Sequence, residues 1–101
     1  MSIYHKFKHY PNSLRRHRKA AGLRQEEVAK ALGLNTTERI SKWENGHSVP
    51  ALQSLFRLAA LYCVSPQDLF DEMYRRASES ASTSAVPLEA AIPAGEYTPR
   101  P

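Results

Sequence analysis

Apolar residues along the chain recur at helical spacing in five stretches. Leu14 and Ala21 share a face of the first, which Asn12 or Ser13 would cap and Gly22 would close. Val28, Ala29 and Leu32 form the stripe of the second, and Gly33 follows where a left-handed C-cap costs least. The third opens on Asn35-Thr36-Thr37-Glu38, a capping-box pattern with a side-chain acceptor at Asn35 and a carboxylate three residues on. Ile40 and Trp43 make its narrow apolar edge, Thr37, Glu38, Arg39, Ser41 and Lys42 fill its outer face, and Asn45-Gly46 ends it. Ser48-Val49-Pro50 starts a fourth helix, in which Leu52, Leu55, Leu58, Ala59 and Tyr62 are expected to face the core. Ser65 as N-cap, Pro66 at the first position and Asp68 in the first turn restart a fifth, with Leu69, Phe70 and Met73 on its apolar face.

A short helix with a thin buried edge and a donor-rich outer face suits insertion into a DNA major groove. Periodicity alone leaves an ordinary helical hairpin with a solvated face as an equal reading. The residues themselves go further. Gln25-Glu26-Glu27-Val28-Ala29, Ala31-Leu32-Gly33, Ile40-Ser41-Lys42-Trp43-Glu44-Asn45-Gly46 and Pro50 closely resemble the Cro/CI-type (XRE) helix-turn-helix family, from about Leu14 to Phe70. The resemblance implies an all-α fold, a compact five-helix lambda-repressor-like DNA-binding domain over residues 12–76, between a basic arm at 1–11 and a disordered tail at 77–101. Two features depart from the family pattern. Gly33 to Ile40 is one residue longer, and Arg24 stands where a small N-cap is usual and cannot accept the orphan N–H bonds.

Arg18 falls on the buried face of the first helix, and a buried charge needs a partner. The resemblance supplies Glu44, predicting an ion pair between the first and third helices that serves structure and not DNA contact. It also implies the contacts to DNA. Gln25, with Arg24, Ser41, Asn45 and His47, would hold phosphates, while Thr36, Thr37, Glu38, Arg39 and Lys42 would face base edges. Lys42 or Arg39 suits guanine, Glu38 cytosine N4 and Thr37 a thymine methyl. For Glu38 a capping role competes, for Gln25 a solvated first-turn position, and for Asn45 a plain C-cap. The extra residue leaves open which of Thr36 and Thr37 meets the groove. Trp43 reads as core.

Charge is consistent with this picture without deciding it. Residues 1–24 hold seven basic residues and no acidic one, and residues 1–76 hold 13 basic against 7 acidic. Such a balance suits a polyanionic partner, although many proteins that bind no nucleic acid are as basic. Lys6 and Lys8 fit either an arm on the DNA backbone or a strap packed on the domain. The single cysteine, Cys63, excludes an intrachain disulfide and reads as a buried small hydrophobe. His5 and His9 have i,i+4 spacing but no further ligand nearby, so no metal or other cofactor is expected. His17 lies among four cations and reads as solvated or phosphate-facing.

No apolar run approaches membrane-spanning length and the N-terminus lacks an apolar signal core, so an intracellular, cytoplasmic location is expected. Beyond Arg76 the chain turns to ASESASTSA and then to scattered prolines, too little apolar content to offset ordering entropy. Pro87-Leu88, Ile92 and Ala94-Gly95-Glu96 are similar to the cleavage segment of self-cleaving phage repressors, as a chance match or as the N-terminal piece of such a protein.

The reading expected from all this is a sequence-specific regulator binding double-stranded DNA, a repressor acting as a homodimer. Helix five with Tyr62, Phe70, Met73 and Tyr74 would supply the dimer surface. A helix-turn-helix module for protein contact, such as an antitoxin or accessory subunit, is the alternative. No phosphate loop, metal cluster or nucleophile set supports an enzyme.

Overall fold

In a computed structural model, which describes residues 9–83, the chain forms six helices. These are α1 (Leu14–Ala20), α2 (Gln25–Ala31), α3 (Glu38–Glu44), α4 (Leu52–Tyr62), α5 (Pro66–Leu69) and α6 (Asp71–Thr83), with no strand among the described residues. Short helices cannot bury an apolar stripe alone, so each depends on its neighbours. α1 packs on α3 and α4, α2 on α3, α4 on α5, and α5 on α6. Leu14, Val28, Ile40, Leu58 and Leu69 close the centre, each essentially inaccessible to water. Trp43 and Tyr62 are buried beside them, so Trp43 is core as its spacing predicts.

Four helices end in the same way. In α1, α2 and α3 the glycines Gly22, Gly33 and Gly46 sit at φ +74°, +74° and +78°. The next amide in each case reaches back to the third-last carbonyl, from Leu23 to Arg18, Leu34 to Ala29 and His47 to Lys42. This is the Schellman closure. α4 makes the matching bond, Val64 to Ala59, but Cys63 occupies the left-handed place at φ 57°. Its side chain is exposed, which corrects the expectation of a buried thiol. An apolar run at helical spacing conceals the fact that the helix ends one residue earlier.

Other boundaries differ from the sequence expectation for identifiable reasons. Asn35 does not cap α3: the chain bends through 35–37, Thr37 takes the N-cap position, and no side-chain cap bond forms there. The one local side-chain contact is Thr36 Oγ1 accepting from the Glu38 amide at 3.4 Å. At α1, Ser13 holds the N-cap position without a side-chain cap, while Asn12 Oδ1 accepts from the Leu14 amide at 3.0 Å. α4 begins at Leu52, after Pro50 and Ala51, and Leu52 is two-thirds exposed instead of facing the core.

The expected fifth helix is two. Ser65 and Asp68 form a reciprocal capping box at the start of α5, and Phe70 breaks the path at φ −134°, ψ 46°. The break is held by α1, where the Ser13 amide donates to the Leu69 carbonyl at 2.9 Å and its hydroxyl to Asp71 Oδ1 at 3.3 Å. α6 then continues to Thr83, into the segment whose composition suggests a disordered tail. Glu72 pairs with Arg75 and Arg76, and Arg75 with Glu79, at i,i+3 and i,i+4 spacing. Such pairs stabilise a helix by a few tenths of a kcal/mol each, and Ala77 and Ala81 add strong helix propensity. Residues 1–8, with Lys6, Lys8 and His5, and residues 84–101, with the Ala94-Gly95 segment, lie outside the described residues.

Candidate nucleic-acid interface

The junction of α1, α2 and α3 is built on one carboxylate. Glu44, the last residue of α3, has a side chain only 1% exposed. Arg18 meets it with two parallel bonds, Nε to Oε2 at 2.6 Å and Nη2 to Oε1 at 3.1 Å, and donates its Nη1 to the Leu23 carbonyl at 2.9 Å. The predicted ion pair between first and third helices is therefore present, buried and bidentate, which is the strong geometry for guanidinium and carboxylate. Gln25 Nε2 also donates to Glu44 Oε1, at 3.1 Å, and Arg15 Nε reaches the same oxygen at 3.3 Å. Burial pushes the Glu44 carboxyl upward, but the bonds from Arg18 and Gln25 and the guanidinium charge more than offset it and hold it below the usual range. The bond to Glu44 raises Arg18 above its ordinary value. Nearby, burial and the Glu44 charge push the Tyr62 phenol up to about 12.

Around this hub the expected phosphate set is partly tied together. Arg15 Nη2 donates to Asn45 Oδ1 at 2.9 Å, and Asn45 Nδ2 to Ser41 Oγ at 3.2 Å. Gln25, Glu44, Arg15, Asn45 and Ser41 thus form one hydrogen-bonded chain from the start of α2 to the end of α3. Gln25 spends one amide hydrogen inside the protein and keeps the second. Arg24, exposed at the N-cap of α2, receives no cap from its own side chain, since a guanidinium has no acceptor. Instead Glu27 Oε1 accepts from the Arg24 amide at 2.9 Å and from its Nε at 3.4 Å, which lowers the Glu27 carboxyl. His47 lies exposed past the cap of α3, its ring edge-on to His9 with centroids 5.0 Å apart.

The outer face of α3 carries the expected base-reading residues. Glu38, Arg39 and Lys42 are exposed, Thr36 is exposed in the preceding turn, and Thr37 is half-buried at the N-cap. Lys42 Nζ lies 3.1 Å from Glu38 Oε1, while Arg39 has no polar partner among the described residues. α3 is only seven residues long, about 10 Å at 1.5 Å per residue, so one face spans about three base steps.

The sequence did not single out two supports of this helix. Arg15 lies one turn before Arg18 on the same side of α1, a spacing that could have revealed it. The other is a strap. The Tyr10 amide donates to the Gly46 carbonyl at 2.8 Å, and Asn12 Nδ2 to the Trp43 carbonyl at 3.0 Å, fastening residues 9–12 over the end of α3. An ideal Cβ on Gly46 would stand 2.8 Å from the Tyr10 oxygen, so this glycine is required by space as well as by φ. His17 has its Nε2 buried without a hydrogen-bond partner, not turned to solvent.

With two helices locked across a glycine turn and the second presenting a polar face, the comparison with known families is decisive. A helix-turn-helix family model matches residues 14–69. The chain belongs to the helix-turn-helix family. Its Cro/CI-type character agrees with the resemblance in the sequence, and the domain is a DNA-binding helix-turn-helix of all-helical fold. No curated protein and no solved structure matches the chain. In helix-turn-helix terms α2 and α3 are the two helices of the motif, joined across Gly33. No helix among the described residues is long and apolar enough to cross a membrane, and no metal-ligand cluster occurs among them.

Proposed function

We propose that this helix-turn-helix protein is a sequence-specific transcriptional regulator, a repressor that acts inside the cell as a homodimer on double-stranded DNA and has no catalytic activity. The observation that carries the reading is the exposed Glu38–Arg39–Lys42 face of α3, held at fixed orientation by the buried Glu44 junction within a matching family domain. Arg39, Lys42, Glu38 and the threonines Thr36 and Thr37 read base edges. The exposed Arg24, the free amide hydrogen of Gln25, and Ser41, Asn45 and His47 set the register on phosphates.

A single domain with this few contacts binds weakly, and two-fold pairing doubles them over half-sites one helical turn apart. The surface for pairing is an apolar groove of about 540 Å³ between the α3–α4 linker, α5 and α6, lined by Val49, Pro50, Phe70, Met73 and Tyr74 among others. Phe70 and Tyr74 belong to the dimer surface expected from the sequence, whereas Tyr62, 6% exposed, is interior and Met73 offers only its edge. The same groove supports the second reading, an antitoxin or accessory module that covers it with another protein.

Enrichment of random duplex DNA by the purified chain, at low and at physiological salt, tests the proposal. A palindrome with affinity falling steeply with salt is expected. Weak, sequence-blind binding that vanishes at physiological salt would transfer support to the protein-contact module.

A further inference from the structure

The polar groups on and around α3 are unequally committed. Ser41 and Asn45 bond each other, and Asn45 also accepts from Arg15. Glu38 and Lys42 pair across one turn, with side chains 69% and 56% exposed. Arg39 alone among the described cations of α3 is uncommitted. A carboxylate in the first turn of a helix that enters a major groove is unusual in its consequences. It is repelled by phosphates, and guanine and thymine meet it with the acceptors O6, N7 and O4. Only cytosine N4 and adenine N6 offer it a donor.

The start of α3 matters here. Glu38 is the first helical residue of α3, preceded by Thr37 at the N-cap, and its carboxylate is free of the capping box with Asn35 that its spacing suggests. Nothing on its own backbone occupies it; its partner is a lysine whose ammonium would otherwise be drawn to any phosphate within reach.

We infer that Glu38 sets the specificity of this face by exclusion: it admits α3 fully only where a base presents an amino group to it. Arg39 supplies the attractive half, a guanidinium free to bond a guanine edge in bidentate fashion. Discrimination then comes from a repulsive element beside an attractive one, which is how selective interfaces reject competitors. The exposed pair itself resists little, since such i,i+4 pairs are weak, so Lys42 is released readily once Glu38 has a base partner. The inference rests on the DNA-binding reading above and names the base chemistry that reading requires.

The test uses the full chain and its Glu38→Gln variant, which keeps size and exposure. Each is enriched on random duplex DNA and then titrated with its enriched site and with random duplex across salt. The wild type is expected to return a site with cytosine or adenine fixed at one position per half-site. In Glu38→Gln, whose amide donates as well as accepts, guanine and thymine should become tolerated at that position, and the ratio of specific to random affinity should fall roughly tenfold, the scale of one well-made base contact. Binding to random duplex should tighten, because a charge that phosphates repel has been removed. A variant with the same enriched site, ratio and random-duplex affinity as wild type would overturn the role given to Glu38 and leave the regulator reading standing. A wild type that enriches no site at all would overturn both.

Discussion

The two ends of this small domain solve opposite problems. Where α1, α2 and α3 meet, a buried carboxylate collects donors from Arg18, Gln25 and Arg15. Along the half from 48 to 83, apolar side chains stand in water: Phe56 and Tyr74 are about half exposed, Leu52 two-thirds, and Val49 nearly half. The charges follow the same division. Residues 14–47 carry eight basic and four acidic side chains, whereas 48–83 carry three basic (Arg57, Arg75, Arg76) and four acidic (Asp68, Asp71, Glu72, Glu79). Polar bonding is directional and fixes angles; apolar packing is not, and tolerates exchange of one covering surface for another. The first holds α3 at one angle, and the second leaves apolar side chains exposed.

The largest expected effect breaks the polar end. Glu44→Ala leaves Arg18 buried without its partner and should cost about 3–5 kcal/mol in urea denaturation. Replacing both, Arg18→Met with Glu44→Leu, should cost much less, because no charge is stranded. The same junction predicts a pH dependence. Glu44 has its folded pKa depressed, so its stabilisation is present above the unfolded carboxylate value near 4.5 and is lost as pH falls through the folded one. Glu44→Gln should flatten the acid limb of the stability profile, and an unchanged limb would refute the linkage.

A smaller effect probes the strap. Gly33→Ala meets open space and should cost only the left-handed penalty, about 1–2 kcal/mol. Gly46→Ala adds a clash with the Tyr10 carbonyl and should cost distinctly more in the same thermal melts. Smaller still, and of opposite sign, Cys63→Gly should stabilise by about 1 kcal/mol, because it relieves a side chain at φ 57°. Smallest for stability is Tyr74→Glu on the apolar groove. An exposed site should shift unfolding by no more than about 0.5 kcal/mol, yet sedimentation should show self-association lost. Unaltered association would place pairing on another surface.

Legibility in the sequence divides along the same line. Helix number to within one, the stripe of Val28, Ala29 and Leu32, and the glycine closures were readable because each follows from local periodicity and backbone freedom. The Arg18–Glu44 pair was readable only through family resemblance, since 26 residues separate its members. What escaped depends on contacts distant in sequence or on single-residue offsets. The break at Phe70 is fixed by Ser13 from the other end of the fold, and the start of α3 lies two residues past the Asn35 cap that the sequence suggests. Cys63 looked apolar and buried because composition does not reveal that its backbone turns left-handed. The bond from Gln25 to Glu44 likewise joins positions 19 residues apart.

The strap carries a practical consequence. Tyr10 and Asn12 attach to the carbonyls of Gly46 and Trp43, in the last turn of α3 and its cap. Any affinity tag, fluorophore or fusion partner joined close upstream of His9 is therefore anchored beside the last turn of α3. If α3 reads DNA as proposed, a negative binding result from such a product would report the label rather than the protein.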